Sequence, residues 1–212
     1  MVTSGPRAMA EDPTEQAGRL QRSAADLQSR RRWAEAEALA ARASMLLAAQ
    51  PDAPALGRTC QDLAGTFDDL GDHARAEALY RRAGAILSIL PQGAPHDVVR
   101  IRCARGLAAN LRIQRRIWEA DAILVAALAL AEQLLGPSHE ETLATMAGLG
   151  LLWEGLGRVD EAEDVYRQAL SRAEVAAGTE PDEVAGIAAA LAILRPVLSL
   201  PEEERQKYVS RL

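Results

Sequence analysis

Four alanines recur along the chain at nearly constant intervals: Ala36, Ala76, Ala120 and Ala162 are 40, 44 and 42 residues apart. Each is followed seven residues later by another alanine, and each is preceded twelve residues earlier by alanine or glycine. Regular spacing of small residues over such a period indicates a stacked array of repeated units, in which each unit packs against its neighbours. This repeat therefore constrains the architecture of the whole chain.

The composition favours helices over strands. Apolar residues make up 49% of the 212 residues, and they are mainly alanine and leucine, whereas aromatic residues make up only 3%. Small and unbranched side chains suit close helix packing, while strands favour β-branched and aromatic residues. The net charge of −6 argues against nucleic-acid binding, which needs a basic surface. The apolar, uncharged run of residues 122–131 is too short to cross a membrane.

Each unit divides into two helices joined by a turn. Gly71 and Gly157 are suited to a left-handed residue at this turn, and Arg31 and Arg115 replace them in the first and third units. The predicted boundaries are a disordered leader at 1–13 and a repeat superhelix at 14–196, followed by a tail or short helix at 197–212. Its units span about 14–50, 54–90, 96–135 and 138–178, with a closing helix at 181–195.

The fourth unit shows its start signal most clearly. Ser138 and Glu141 have the spacing of a capping box, in which each side chain accepts a hydrogen bond from a free backbone N–H group. Pro137 lies just before them and prevents the preceding helix from continuing. The sequence therefore predicts that a helix begins here and runs to about Leu156.

The frame of small and large residues, turn glycine, alanine and tyrosine resembles the tetratricopeptide repeat. The 42-residue period, with Leu-Gly-Pro-Ser-His-Glu-Glu-Thr at 135–142 before a first helix, is similar to the longer repeats of kinesin light chains and their bacterial relatives. The resemblance covers about residues 17–195. It implies an all-α, right-handed α-solenoid of about four helix pairs with a C-terminal closing helix.

Aromatic side chains fit the interior of such an array. Two lie four residues after a reference alanine and two lie nine residues before one, where a ring can cover a small residue of the partner helix. Two tryptophans that open second helices are expected to have the same role. The predicted core rings are Trp33, Phe67, Tyr80, Trp118, Trp153 and Tyr166.

No pattern of a catalytic, cofactor-binding or metal-binding site is found in the sequence. His96 and His139 recur with the repeat, about one unit apart, so they would not converge on one metal ion. Cys60 and Cys103 lack the spacing of paired ligands and are expected to be buried residues of a protein in a reducing compartment. The sequence thus indicates a non-enzymatic cytoplasmic protein without a cofactor or metal.

Binding of another polypeptide is the function that the resemblance implies, through the first helices that line the concave groove of such an array. By analogy with the family, the groove positions lie 18, 15, 11 and 8 residues before each reference alanine. The predicted peptide-binding residues are Arg58, Gln61, Arg102, Arg105, Arg112, Ala147, Leu151 and Glu154.

Three of these arginines share one helix face. Arg102, Arg105 and Arg112 are separated by three and seven residues, so their like charges repel and would be relieved by an anion. A partner with an acidic stretch or a free C-terminal carboxylate, followed by apolar anchors, would fit this face. The alternative is that the nearby carboxylates of Asp62, Asp68 and Asp69 already neutralise the arginines.

The second helix of the third unit is apolar where the fourth unit carries charges. A helix that is apolar all round is normally covered, and the cover could be a second copy of the chain, a partner or the tail from residue 198. An alanine-rich surface that needs no cover is the simpler interpretation. The possible oligomer face comprises Leu46, Ala122, Val125 and Ala129.

Three functions follow from these patterns. The first is a scaffold that holds a protein or peptide partner of acidic character in the concave groove. The second is a structural homo-oligomer that uses the apolar outer face of units one to three. The third is a regulatory or adaptor subunit of a larger complex.

Overall fold

The computed structural model describes residues 12–48, 54–93 and 96–175, and every regular element within these ranges is an α-helix. The helices are α1 (Pro13–Ser29), α2 (Trp33–Ala48), α3 (Pro54–Asp69), α4 (His73–Ser88), α5 (His96–Ile113), α6 (Ile117–Leu134), α7 (Glu140–Gly155) and α8 (Val159–Val175).

The helices pack as successive pairs within two compact units, Met1–Ile86 and Leu87–Leu212. In the first unit α1 packs along α2, and α3 contacts both of them. In the second unit α5 packs along α6 and α7 along α8, while α7 also contacts α5 and α6. The predicted all-α repeat fold of helix pairs is therefore confirmed. Its right-handed superhelical path stays a prediction.

Some predicted segments lie outside the described residues. These are the leader up to residue 11, the end of the fourth unit from residue 176, the closing helix at 181–195 and the tail at 197–212. At the other end of the predicted leader, α1 already begins at Pro13, and the carboxylate of Asp12 accepts a hydrogen bond of 2.9 Å from the backbone N–H of Thr14.

The recurring small residues are buried where helices approach each other. All four reference alanines have no exposed surface, and the alanines seven residues after them are also buried. At Gly150 the ring of Tyr166 lies so close that a Cβ atom would be 2.5 Å from its Cε1 and Cζ atoms. The packing of a ring over a small residue of the partner helix is thereby confirmed for this pair.

The same turn joins the two helices of every pair. Its central residue is left-handed in all four, with φ of 58° at Arg31, 81° at Gly71, 64° at Arg115 and 73° at Gly157. In each turn the backbone N–H of the next residue donates a hydrogen bond back to the first helix. That of Arg116, for example, donates one of 2.9 Å to the carbonyl of Leu111. This pattern is the Schellman motif, and two arginines adopt a conformation that costs a non-glycine residue about 1–2 kcal/mol.

Two of the six predicted core rings are exposed. Trp118 is 76% exposed and Trp33 is 50% exposed. Trp118 lies two residues before the buried Ala120, and at about 100° per residue this places it on the opposite side of α6. Trp33 is the first residue of α2, and helical side chains lean towards the N-terminus, so it projects past the packed part of the helix.

The predicted capping box at the start of α7 is also wrong. The N-cap residue is His139, whose Nδ1 atom accepts a hydrogen bond of 3.1 Å from the backbone N–H of Glu141. The imidazole therefore takes the role that had been assigned to Ser138. This leaves the side chain of Glu141 available for a different contact.

Candidate functional site

The arginines of α5 lie on a face that is partly open to solvent. The side chain of Arg102 is 47% exposed and that of Arg105 is 34% exposed, and Arg112 in the last turn of the helix is also exposed. A positive charge in the last turn is favourable because it faces the negative end of the helix dipole.

A carboxylate from the next helix pair is shared by two of these arginines. Nη1 of Arg105 donates a hydrogen bond of 2.7 Å to Oε2 of Glu141, and Nε of Arg102 donates to Oε1 of the same group. Glu140 is a more distant neighbour of Arg102, at 4.0 Å. The Glu141 side chain is only 3% exposed, so two guanidinium groups share one buried carboxylate at the centre of this cluster.

Glu141 is a residue that the sequence analysis assigned to capping alone. It lies 39 positions from Arg102 and 36 from Arg105, close to one repeat period. This separation could have predicted the contact, because the first helices of successive pairs stack, as α5 and α7 do in the structure. Carboxylates one period after an arginine are therefore the place to look for such pairs.

Beyond this cluster, the row of arginines ends at an open cleft between the end of α5, the following turn and the end of α7. Among the described residues, none forms an ion pair with Arg112 or Arg115. The cleft has a volume of about 310 Å³. Its lining includes Arg112, Ile113, Arg115, Ile117, Leu151 and Leu152.

The other two predicted groove residues of the second unit are less accessible. Ala147 is half-buried and packs against the core between α7 and α8. Glu154 is half-buried, and this burial raises the pKa of its carboxyl group. Burial, and secondarily the charge of Glu154, raises the pKa of Tyr166 to about 12. Ala147 and Glu154 thus lie at the edge of the core.

In the first unit Arg58 is exposed on α3 and Gln61 is half-buried. Two other polar groove positions of this unit connect helices. The side-chain amide of Gln28 donates a hydrogen bond of 3.0 Å to the carbonyl of Thr66, and that of Gln21 donates one of 3.3 Å to the Thr66 hydroxyl. These bonds join α1 to α3.

The predicted oligomer face is exposed on α6 but less so on α2. Ala122, Val125 and Ala129 are exposed, and with Trp118 they form one stripe along α6, because they follow the helical period. Leu46 on α2 is only half-buried by its own unit. Trp118, which was predicted to be a core ring, is the largest side chain of this exposed stripe.

Comparison with known proteins agrees with this geometry. The sequence profile of the tetratricopeptide repeat family matches residues 100–174, which include nearly all of α5 to α8. Over residues 100–174 the chain is therefore similar to tetratricopeptide repeats. Proteins with these repeats generally mediate protein–protein interactions and are generally non-catalytic.

Solved structures of tetratricopeptide-like repeats are similar to this chain in fold. BtubC (BKLC) from P. vanneervenii is 18% identical, with a TM-score of 0.71 over 87% of this chain and 73% of that one. A putative kinesin light chain of Podosopora anserina with nearly identical TPR-like repeats is 20% identical, with a TM-score of 0.72 over 94% of each chain. PilF of Pseudomonas aeruginosa is 17% identical, with a TM-score of 0.56 over 95% of this chain and 78% of that one. No curated protein matches the sequence.

His139 and His73 each have a structural partner, and both cysteines are buried. His139 caps α7, and in the first unit Nδ1 of His73 is 2.9 Å from the carboxylate of Asp68. Cys60 and Cys103 are buried and form no disulfide. Within the described ranges no three His, Cys, Asp or Glu side chains are grouped so that they could hold a metal ion. Over the same ranges, no helix combines the length and hydropathy that a membrane span requires.

Proposed function

We propose that this protein is a non-enzymatic scaffold that binds a protein or peptide partner of acidic character on the face formed by α5 and α7. The proposal places the partner along the arginine row of α5, with Leu151 of α7 beside it. Within the first unit, Arg58 and Gln61 of α3 are proposed as partner-binding residues of that unit. We also propose a reducing, cytoplasmic compartment, since both cysteines are buried thiols.

The observation that carries this proposal is the charge balance of the α5 face. Arg102 and Arg105 face the carboxylate of Glu141 and, at 4.0 Å, that of Glu140, and no carboxylate within the described residues pairs with Arg112. The face therefore keeps a positive charge although the chain has a net charge of −6. Guanidinium groups bind carboxylates with two parallel hydrogen bonds, which favours an acidic segment as the ligand.

The test measures fluorescence anisotropy of a labelled twelve-residue peptide of alternating glutamate and leucine, against a control peptide with glutamine in place of glutamate. We expect the acidic peptide to bind with a dissociation constant of roughly micromolar, because ordering a flexible ligand offsets much of the contact energy. Arg112→Glu should weaken binding by about tenfold. The matched control is Arg167→Glu on α8, whose side chain is 58% exposed and pairs with Glu163 of the same helix.

A gain-of-binding variant makes the test independent of damage to the fold. Glu141→Gln removes the carboxylate that Arg102 and Arg105 share, so binding of the acidic peptide should become stronger. If Arg112→Glu and Arg167→Glu weaken binding equally, the α5 face is not the binding surface.

Self-association through α6 is a second candidate, favoured by the exposure of Trp118 and Val125 on one stripe. Two copies related by a two-fold axis could pack α6 antiparallel, so that the large Trp118 faces the small Ala129 of the other copy. Sedimentation velocity at micromolar concentration should then show a dimer that Val125→Glu dissociates and that Gln168→Glu on α8 leaves intact. A monomeric wild type would exclude this candidate.

A further inference from the structure

The cleft at the end of the arginine row combines charge with exposed apolar surface. Ile113 is 49% exposed and Leu151 is 50% exposed, and both line the cleft together with the guanidinium-bearing Arg112 and Arg115. Isolated exposed apolar residues are common, but here two of them lie in one concave site. The cleft can therefore accept an apolar side chain.

The charge of the cleft is one-sided. Its lining contains two arginines and no aspartate or glutamate. Neither arginine makes an ion pair within the portion of the chain that the structure describes. Two guanidinium groups beside an apolar floor are complementary to two carboxylates that flank an apolar side chain.

The backbone gives an independent indication that the Arg115 side chain matters. Its φ of 64° is left-handed, and the equivalent turns hold Gly71 and Gly157 at two of the three other positions. Such an outlier motivates a search for a role of the side chain. Arg31 has the same conformation in the first unit, with φ of 58°, but it does not line the cleft found near that turn. What distinguishes Arg115 is the apolar cleft beside it.

We infer that this cleft is an anchor site for a partner segment in which one aliphatic residue lies between two acidic residues. The aliphatic side chain contacts Ile113 and Leu151, and the two carboxylates pair with Arg112 and Arg115. An internal segment supplies both carboxylates from neighbouring side chains, whereas a chain terminus supplies only one from its end. This inference rests on the proposed function and names the sequence that would be recognised.

The test uses labelled peptides in a Gly-Ser background that carry Glu-Leu-Glu, Gln-Leu-Gln or Glu-Ser-Glu in the middle, and one that ends in a free Glu-Leu carboxylate. Anisotropy should give the tightest binding for the internal Glu-Leu-Glu peptide, and Leu151→Ser should reduce that preference over Glu-Ser-Glu. Arg115→Gly should weaken its binding by about fivefold.

The same substitution relieves a strained backbone, which gives an unusually specific control. Arg115→Gly should raise the melting temperature while it lowers binding, so weaker binding cannot be attributed to unfolding. Arg31→Gly makes the same change at the equivalent turn of the first unit, and it should raise the melting temperature without any effect on binding.

The outcomes separate this inference from the function on which it rests. If Arg115→Gly binds Glu-Leu-Glu as well as wild type does, or if the peptide with the free carboxylate binds better, the anchor site is wrong. The proposed function survives that result provided that the alternating glutamate and leucine peptide still binds through Arg112. If no glutamate peptide binds better than its glutamine control, both are wrong.

Discussion

The carboxylate of Glu141 accepts a hydrogen bond of 2.7 Å from the guanidinium of Arg105, a residue 36 positions earlier in the chain. The pair joins the first helices of two successive repeats in the second unit. Because the carboxylate is almost completely buried and also binds Arg102, it stabilises the fold and at the same time sets the charge of the exposed α5 face.

Replacement of the buried carboxylate should destabilise the protein. Glu141→Gln removes the negative charge between two arginines, and since both are partly exposed the expected loss in the free energy of unfolding is about 1–3 kcal/mol. Glu140→Gln is the matched control, because Glu140 is the preceding residue and its side chain is 51% exposed. It should change stability by less than about 0.5 kcal/mol. Urea unfolding measures both, and equal effects would show that the buried pair contributes nothing specific.

Glycine should be a better residue than arginine at the left-handed turns. Arg31→Gly is expected to raise the free energy of unfolding by about 1 kcal/mol, because glycine adopts positive φ without steric cost. Gly71→Ala, at the equivalent position, should lower it by a similar amount. Thermal unfolding followed by circular dichroism checks both changes, and a lower melting temperature for Arg31→Gly would contradict the prediction.

The contact between Gly150 and Tyr166 leaves no room for a methyl group. Gly150→Ala would place a carbon atom 2.5 Å from the ring, so it should lower the free energy of unfolding by about 1–3 kcal/mol. Gly84→Ala serves as control, since in the interior of α4 the added Cβ has no atom within 4 Å apart from neighbouring backbone of its own helix. That substitution should be stabilising by up to about 1 kcal/mol. Comparable losses for the two variants would refute the packing argument.

Stability should fall at alkaline pH because of Tyr166. Its pKa is raised to about 12 by burial and by the charge of Glu154, whereas the same hydroxyl in the unfolded chain has a pKa near 10. Between these values the folded state binds more protons than the unfolded state, so the free energy of unfolding decreases as pH rises through this window. Urea unfolding from pH 8 to pH 12 should show this decrease in wild type and a smaller one in Tyr166→Phe. Identical slopes would contradict it.

Much of the fold could be predicted because it depends on spacing alone. The recurrence of alanine defined the helix pairs, and burial of these residues follows from the close approach of helices. Local features that depend on one side chain were harder to predict. The burial of Trp118 was predicted from its residue type, but its angle relative to Ala120 places it in solvent.

The candidate site was predicted only in part. Positions on one helix face could be derived from the helical period, so the arginine row of α5 was found. The charge that remains on that row depends on Glu141, whose partner lies in a different repeat and whose local sequence also resembled a capping signal. The cleft beside Arg115 escaped detection because a turn position normally held by glycine carries no prediction for a side chain.

The shared turn also determines where the chain can change its length. Within each pair, twelve residues always separate the first small residue from the reference alanine, although successive pairs are 40, 44 and 42 residues apart. The turn inside a pair is fixed by its hydrogen bonds, so these differences fall outside it, in the connections between pairs, such as residues 135–139, and in the lengths of the helices that flank them. An inserted epitope, a grafted loop or a pair of new termini would therefore be accommodated at those connections.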